Sequence, residues 1–178
     1  MKKITYFALA ASLLSWNIAY AHEKPTDAQI AAIVVAANQV DVDAGKLVAA
    51  KSTDAAIKAF ADQMVTDHTA VNQSAVDLVT KLKVTPEANA TSKSLEEGGA
   101  KNLAHLQTLK GKALDHAYVD HEVAYHAQVI DALDQTLIPN AKNEELKALL
   151  VKVRPAFVQH LEHAKHLQAT YQKTGAQE

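Results

Sequence analysis

The 178-residue sequence contains no cysteine, which excludes disulfide bonds, thiolate metal sites, a cysteine nucleophile and a lipid-modified N-terminal cysteine. Glycine and proline are also scarce, with 5 and 4 residues, and aromatic side chains make up only 5% of the chain. The fold must therefore be stabilised by its hydrophobic core alone. A domain of this size can build such a core, because a chain of about 150 residues buries roughly 70% of its unfolded surface.

The sequence also lacks a large excess of positive or negative charge. The chain has 18 Lys and Arg residues against 20 Asp and Glu residues, and its formal net charge is −2. The basic residues form no patch of the kind that binds phosphate backbones, so nucleic acid is not an expected partner.

One apolar run stands out, and it lies at the N-terminus. Lys2 and Lys3 precede an apolar stretch over residues 4–18, and the small-x-small sequence Ala19-Tyr20-Ala21 follows it. This pattern predicts a signal peptide over residues 1–21 that is cleaved after Ala21. The alternative is an uncleaved anchor, but the run is short for a spanning helix, which needs roughly 20 residues. No later run is long enough either, so we expect a periplasmic or secreted protein without a transmembrane anchor.

The remainder is rich in alanine, leucine, lysine and glutamine, which are strong helix formers, and shows no alternating strand pattern. Capping residues, glycines and prolines divide it into helices. The first predicted helix spans 26–51, where Thr26 and Gln29 form a capping box, and the second spans 52–86. A weaker helix over 92–109 is interrupted at Gly98 and Gly99. The third main helix runs from 111 to before Pro139, and the fourth is capped by Asn143 and kinked at Pro155.

Short connections join the first and second and the third and fourth main helices, which predicts two antiparallel hairpins. The longer connection between the hairpins holds the weaker helix and permits a crossover. The sequence thus predicts an all-α, ferritin-like four-helix bundle over 26–171, with an additional short helix in the 2–3 connection. A simple up-and-down bundle stays open. Residues 22–25 are expected to form a linker, and residues 172–178 a flexible tail.

Each main helix carries one metal-competent side chain in the middle of its apolar stripe. His68, for example, follows Met64 by four residues and precedes Val71 by three, which places it on the buried face. A buried polar group without a partner costs about 1–3 kcal/mol, so such residues must pair or share a ligand. The candidate metal ligands are Asp41, His68, His126 and His160.

Imidazole and carboxylate together suit zinc, copper, nickel or iron, so a divalent transition metal is the expected cofactor. Neighbouring polar residues would orient these ligands or add to them: Asp67, Tyr118, Glu122 and His163. The same residues could instead form a metal-free network that only fixes the helix register. The protein would then be a structural, interaction or envelope-stress protein, in the last case one that responds to histidine protonation.

Enzyme signatures are missing from the sequence. It contains neither a Gly-x-Ser-x-Gly motif nor a phosphate-binding glycine loop. No acidic residue has a histidine three positions later, whereas di-iron bundles use Glu-x-x-His on two helices. Catalysis is therefore not expected, and a redox enzyme ranks last among the candidate functions.

Several segments together resemble one bacterial exported family. They are Asp41-Val-Asp-Ala-Gly-Lys-Leu, Phe60-Ala-Asp-Gln-Met-Val-Thr-Asp-His68, Leu114-Asp-His-Ala-Tyr118 with His126, and Pro155 followed by His160-Leu. In order and spacing they are similar to the family called domain of unknown function 4142, whose members are often labelled outer-membrane proteins. The resemblance covers about residues 26–171. It implies a ferritin-like bundle without an established activity, with functional weight on Asp67, His68, Tyr118, His126 and His160. Asp41 stands where the family typically has glutamate, and Leu114 where it often has phenylalanine.

Overall fold

A computed structural model describes residues 24–175, and all regular structure in this range is helical, which confirms the all-α prediction. The predicted signal peptide and its cleavage site lie outside the described residues. The helices are α1 (Asp27–Lys51), α2 (Ala55–Leu82), α3 (Ala90–Thr108), α4 (Gly111–Ala132), a π-helical turn (Leu133–Leu137), α5 (Ile138–Asn140) and α6 (Glu144–Gly175). None of the helices within 24–175 combines the length and apolar character that crossing a membrane requires.

The helix starts follow from the capping residues seen in the sequence. Thr26 and Gln29 form the predicted capping box, with hydrogen bonds of 3.1 and 3.2 Å in the two directions. The Asp54 carboxylate accepts hydrogen bonds from two free amides at the start of α2, and the Asn143 side chain does the same for α6. These caps fix where three of the four main helices begin.

The main helices form two hairpins, α1 with α2 and α4 with α6. The hairpins meet through α1 against α4 and α2 against α6, while α3 packs along α1. This pairing is that of a crossover bundle, because an up-and-down bundle would instead place the second main helix beside the third. The side-chain hydroxyl of Tyr125 on α4 donates a 3.0 Å hydrogen bond to the carbonyl of Ala37 on α1. The predicted arrangement of two hairpins around a crossover helix is confirmed.

Two apolar clusters fill the bundle, one toward each end. The first is built around Val48, Ile57, Phe60, Met64, Leu114, Tyr118 and Ala164. The second is built around Ile30, Ile33, Ala75, Leu133, Leu150 and Phe157. In each main helix, the predicted polar residue lies between the residues of one cluster and those of the other. A polar layer therefore separates two halves of an otherwise apolar core.

The predicted interruption at Gly98 and Gly99 is wrong, because α3 is continuous from Ala90 to Thr108. Gly99 has a packing role instead. A Cβ atom at this position would lie 2.6 Å from Cγ2 of Val40 on α1, whereas one at Gly98 would meet nothing within 4 Å in the described structure. The glycine thus lets α3 approach α1 closely.

This difference makes the two glycines a matched pair for mutation. We expect Gly99→Ala to destabilise the protein by about 1–3 kcal/mol, because the added methyl group overpacks the contact with Val40. We expect Gly98→Ala to stabilise it by up to about 1 kcal/mol, because alanine is the better helix former at an exposed site. Urea unfolding of both variants measures this, and equal shifts for the two would contradict close packing at Gly99.

The third main helix was predicted to end before Pro139, and this is wrong as well. It continues through the π-helical turn Leu133–Leu137 into α5, which contains Pro139 near its start. A proline lacks an amide donor, and its ring crowds the carbonyl four residues earlier. The π-helical turn is wider than an α-helical turn and therefore accommodates Pro139. Pro155 lies inside α6, which runs on to Gly175. The kink predicted at Pro155 stays a prediction.

Candidate metal centre

The four predicted ligands all lie inside the bundle, one from each main helix. Asp41 and His68 are 2% exposed, and His126 and His160 are 1% exposed. The helical periodicity of the apolar stripes places them there, since each is three or four residues from buried apolar neighbours. Full burial removes these polar atoms from bulk water, so their partners must come from the protein, from a ligand or from water held inside the bundle.

The three histidines gather into one cluster, which we call the histidine triad (His68, His126 and His160). Their ring centroids are separated by 5.2–5.4 Å. One nitrogen of each ring lies within 4.8 Å of one nitrogen of the other two. Phe157 stacks on His68 with ring centroids 5.1 Å apart, which helps to fix that ring. The spacing suits three ligands around a single metal ion, given metal–nitrogen bonds of about 2 Å.

A hydrogen bond at one nitrogen of each ring fixes the orientation of the three imidazoles. His68 Nδ1 lies 2.7 Å from Oδ1 of Asn38, and His160 Nε2 lies 2.9 Å from the Asp67 carboxylate. His126 Nδ1 lies 3.1 Å from the backbone carbonyl of Glu122. Each of these acceptors requires an N–H on the ring nitrogen that it faces. Such outer partners are what orient histidines that bind metals.

The Asn38 side chain settles the tautomer of His68. Its Nδ2 donates a 2.7 Å hydrogen bond to the carbonyl of Val34, so its Oδ1 is the atom that faces His68. His68 must then donate from Nδ1, which leaves a lone pair on Nε2. By the same reasoning, the nitrogen that does not face a hydrogen-bond acceptor is Nε2 in His126 and Nδ1 in His160. None of these three nitrogens has a hydrogen-bond partner among residues 24–175.

Asp41 belongs to a second cluster, which we call the carboxyl group cluster (Asp41, Glu122 and His126). Its three ligand atoms also lie within 4.8 Å of one another, and Glu122 Oε2 is 3.2 Å from His126 Nδ1. Glu122 is fully buried. Asp41 and Glu122 lie close enough to share a proton in a side-chain hydrogen bond, and no other hydrogen bond to Asp41 Oδ1 or to the Glu122 carboxyl oxygens forms within the described part of the chain. The structure thus divides the predicted ligands between two clusters that share His126.

Burial changes the charge state of both clusters. Burial lowers the pKa of His68 well below its usual value, and the neighbouring triad histidines lower it further. Burial also lowers the pKa of His160, although the hydrogen bond to Asp67 opposes this. Burial raises the pKa of Glu122 to about 8. The same effect, together with the nearby Glu122, raises the pKa of Asp41 well above its usual range. Near neutral pH these two triad histidines are therefore uncharged, and the carboxyl pair retains a proton.

The residues predicted to surround the ligands have different positions. Asp67 is partly exposed and contacts His160, as just described, and Glu122 joins the carboxyl group cluster. Tyr118 is fully buried close to both carboxyl groups, and burial with these neighbours raises its pKa. His163 is exposed and packs edge-on against Phe60, with ring centroids 4.9 Å apart. Asn38 was missed by the sequence reasoning, although it lies three residues before Asp41 in the same buried stripe.

A cavity of about 220 Å³ adjoins the polar layer. Its walls are mostly apolar and come from α1, α2, α3, α4 and α6. It extends from the exposed side chains of Thr91 and Gln128 to the buried Asp41 and His68. Apolar surface therefore borders one side of the polar layer.

The fold and this centre define a class of protein: an all-α bundle with a buried layer of histidines and acids at its middle. The chain belongs to the family described as domain of unknown function (DUF4142), whose model matches residues 17–167. Neither the comparison with curated proteins nor the comparison with solved structures found a match.

Proposed function

We propose that this protein is an exported metal-binding bundle that holds a divalent transition metal ion in its histidine triad. One observation carries the proposal: the imidazoles of His68, His126 and His160 offer nitrogens within 4.8 Å of one another in the core, and one nitrogen of each ring has no hydrogen-bond partner in the described structure. Their outer nitrogens are already oriented by Asn38, Asp67 and the Glu122 carbonyl. The centre is organised for a cation before the cation binds.

The donor set favours zinc and copper within the broader group of zinc, copper, nickel and iron. Three neutral imidazoles are borderline ligands, and sites with three histidines leave a coordination position open. The apolar cavity adjoins His68, so the open position can receive a small molecule or water. The bundle would bind or buffer the metal in the periplasm or outside the cell, as the predicted signal peptide requires.

A purely structural network is the competing function, and the bonding pattern counts against it. A network that only fixes the helix register should satisfy its own members, because every unpaired buried group costs about 1–3 kcal/mol. In the polar layer one nitrogen of each triad ring lacks a hydrogen-bond partner within residues 24–175, whereas Asp41 and Glu122 can share a proton with each other. A bound cation satisfies the three ring nitrogens, and a network confined to these side chains does not.

Metal-dependent melting tests the proposal. With Zn²⁺ or Cu²⁺ at about 100 times its dissociation constant, the mature protein should gain about 2.7 kcal/mol, or roughly 5–10 °C in Tm. His68→Ala should lose most of this gain because it removes one of three ligands. The control His166→Ala, at an exposed site on α6, should keep it. If Zn²⁺, Cu²⁺, Ni²⁺ and Fe²⁺ all leave the wild-type Tm unchanged, the layer is a structural network.

A further inference from the structure

The carboxyl group cluster is not explained by a single metal ion in the histidine triad. We propose that it is a second cation position, bound by Asp41, Glu122 and Nδ1 of His126, so that the imidazole of His126 bridges two metal ions. The inference rests on the proposed function, because the two positions share His126. It adds a second ion and assigns each His126 nitrogen to a different one.

The triad and the carboxyl group cluster use opposite nitrogens of the His126 ring, which makes them two separate cation positions. The lone pair available to the triad is on Nε2 of His126, whereas Glu122 approaches Nδ1 of the same ring at 3.2 Å. Asp41 Oδ2 likewise lies 3.4 Å from His68 Nδ1, and not beside the free nitrogen of that ring. The two nitrogens of an imidazole point away from each other. An ion on the Nε2 side is therefore out of reach of the carboxyl oxygens on the Nδ1 side.

The carboxyl oxygens also lack the bonds that an orienting role would give them. Nδ1 of His126 donates its hydrogen to the Glu122 backbone carbonyl at 3.1 Å, so neither side-chain oxygen of Glu122 is needed to orient the ring. Apart from the proton that Asp41 and Glu122 share, both oxygens and Asp41 Oδ1 are buried without a hydrogen-bond partner in the described range, as is the Tyr118 hydroxyl. Two fully buried carboxyl groups side by side are costly unless a proton or a cation lies between them.

Binding exchanges protons for the metal ion. The ion forms bonds to one oxygen each of Asp41 and Glu122 and to His126 Nδ1. The proton that the carboxyl pair retains and the Nδ1 proton of His126 pass to solvent, and the hydrogen bond to the Glu122 carbonyl breaks. No electron is transferred. Release of protons on metal binding is general for sites whose ligands are protonated in the free protein. Two carboxylates and one imidazole suit a divalent ion such as Zn²⁺.

The test is the number of Zn²⁺ ions bound per chain, measured by equilibrium dialysis and elemental analysis of the mature protein. Wild type should bind two. Glu122→Gln, which preserves the shape of the side chain but removes a carboxylate ligand, should bind one. His160→Gln should also bind one, because it damages the triad and leaves the carboxyl group cluster intact. The control Glu97→Gln, at an exposed site on α3, should bind two.

A spectroscopic measurement identifies the bridge. With Cu²⁺ as the probe, two ions joined by one imidazolate couple magnetically, so the electron paramagnetic resonance signal per copper should fall as the second ion binds. Glu122→Gln should restore the full signal of an isolated ion.

The outcomes separate this inference from the proposed function. One Zn²⁺ in both wild type and Glu122→Gln overturns the second position and leaves the triad site standing. One ion in wild type and none in Glu122→Gln overturns it too, because a single site then uses all of these ligands. Two ions in both proteins would place the second ion elsewhere. No ion in wild type overturns the proposed function and this inference together.

Discussion

Replacing His126 with alanine should abolish metal binding, with an affinity loss well beyond 100-fold. His126 is the residue that the histidine triad and the carboxyl group cluster share. Its removal leaves two ligands in each cluster, and a buried site with two ligands cannot replace the hydration shell of a transition metal ion. No other single substitution in the layer damages both clusters in this way.

Two further variants should weaken metal binding less than His126→Ala does. Asp67 contacts His160 from outside the triad, so Asp67→Asn should weaken binding by about 10–100-fold, as is usual for partners that orient a ligand. His105 is exposed on α3, and His105→Ala should leave the affinity unchanged. Competition with a chelating indicator dye gives the affinities. An affinity of His126→Ala within about tenfold of wild type would place the metal outside the polar layer.

The apolar stripes predicted which polar residues are buried in the middle of the bundle, because burial in a bundle follows the helical period. Asp41, His68, His126 and His160 were each chosen for their place within a stripe, and all four are buried. Helix starts were also predictable, since a cap such as that of Thr26 depends only on neighbouring residues. Both kinds of feature are local, so one sequence suffices to find them.

The features that escaped prediction depend on contacts between helices. The division of the ligands into two clusters requires the relative heights and rotations of four helices, which the periodicity of each helix leaves undetermined. Asn38 was missed because its role appears only when His68 of α2 lies 2.7 Å away. Gly99 was interpreted as a helix breaker because its contact with Val40 is a property of the pair α1 and α3. In each case the missing information was the position of a partner far away in sequence.

The stability of the metal-free protein should fall as the pH rises from about 6.5 to 8. Burial raises the pKa of Glu122 to about 8, so the folded protein retains a proton that the unfolded chain has already released. A group whose pKa is raised by folding stabilises the protein at pH values below its pKa in the unfolded chain. This stabilisation is lost as the pH rises through the pKa of the group in the folded protein. The slope is up to about −1.4 kcal/mol per pH unit for one proton. Urea unfolding in the presence of a chelator measures it.

The predicted fall in stability begins at about pH 6.5. Below this pH the histidines have the opposite effect, so that stability rises with pH. Burial lowers the pKa of His68 and His160, so acid stabilises the unfolded chain, whose histidines take up protons near their usual pKa. Glu122→Gln should flatten the slope between pH 6.5 and 8 and make the metal-free protein more stable than wild type at pH 8. Glu97→Gln, which changes an exposed acid, should keep the wild-type slope. An equal slope in wild type and Glu122→Gln would mean that Glu122 is not the group that retains the proton in the folded protein.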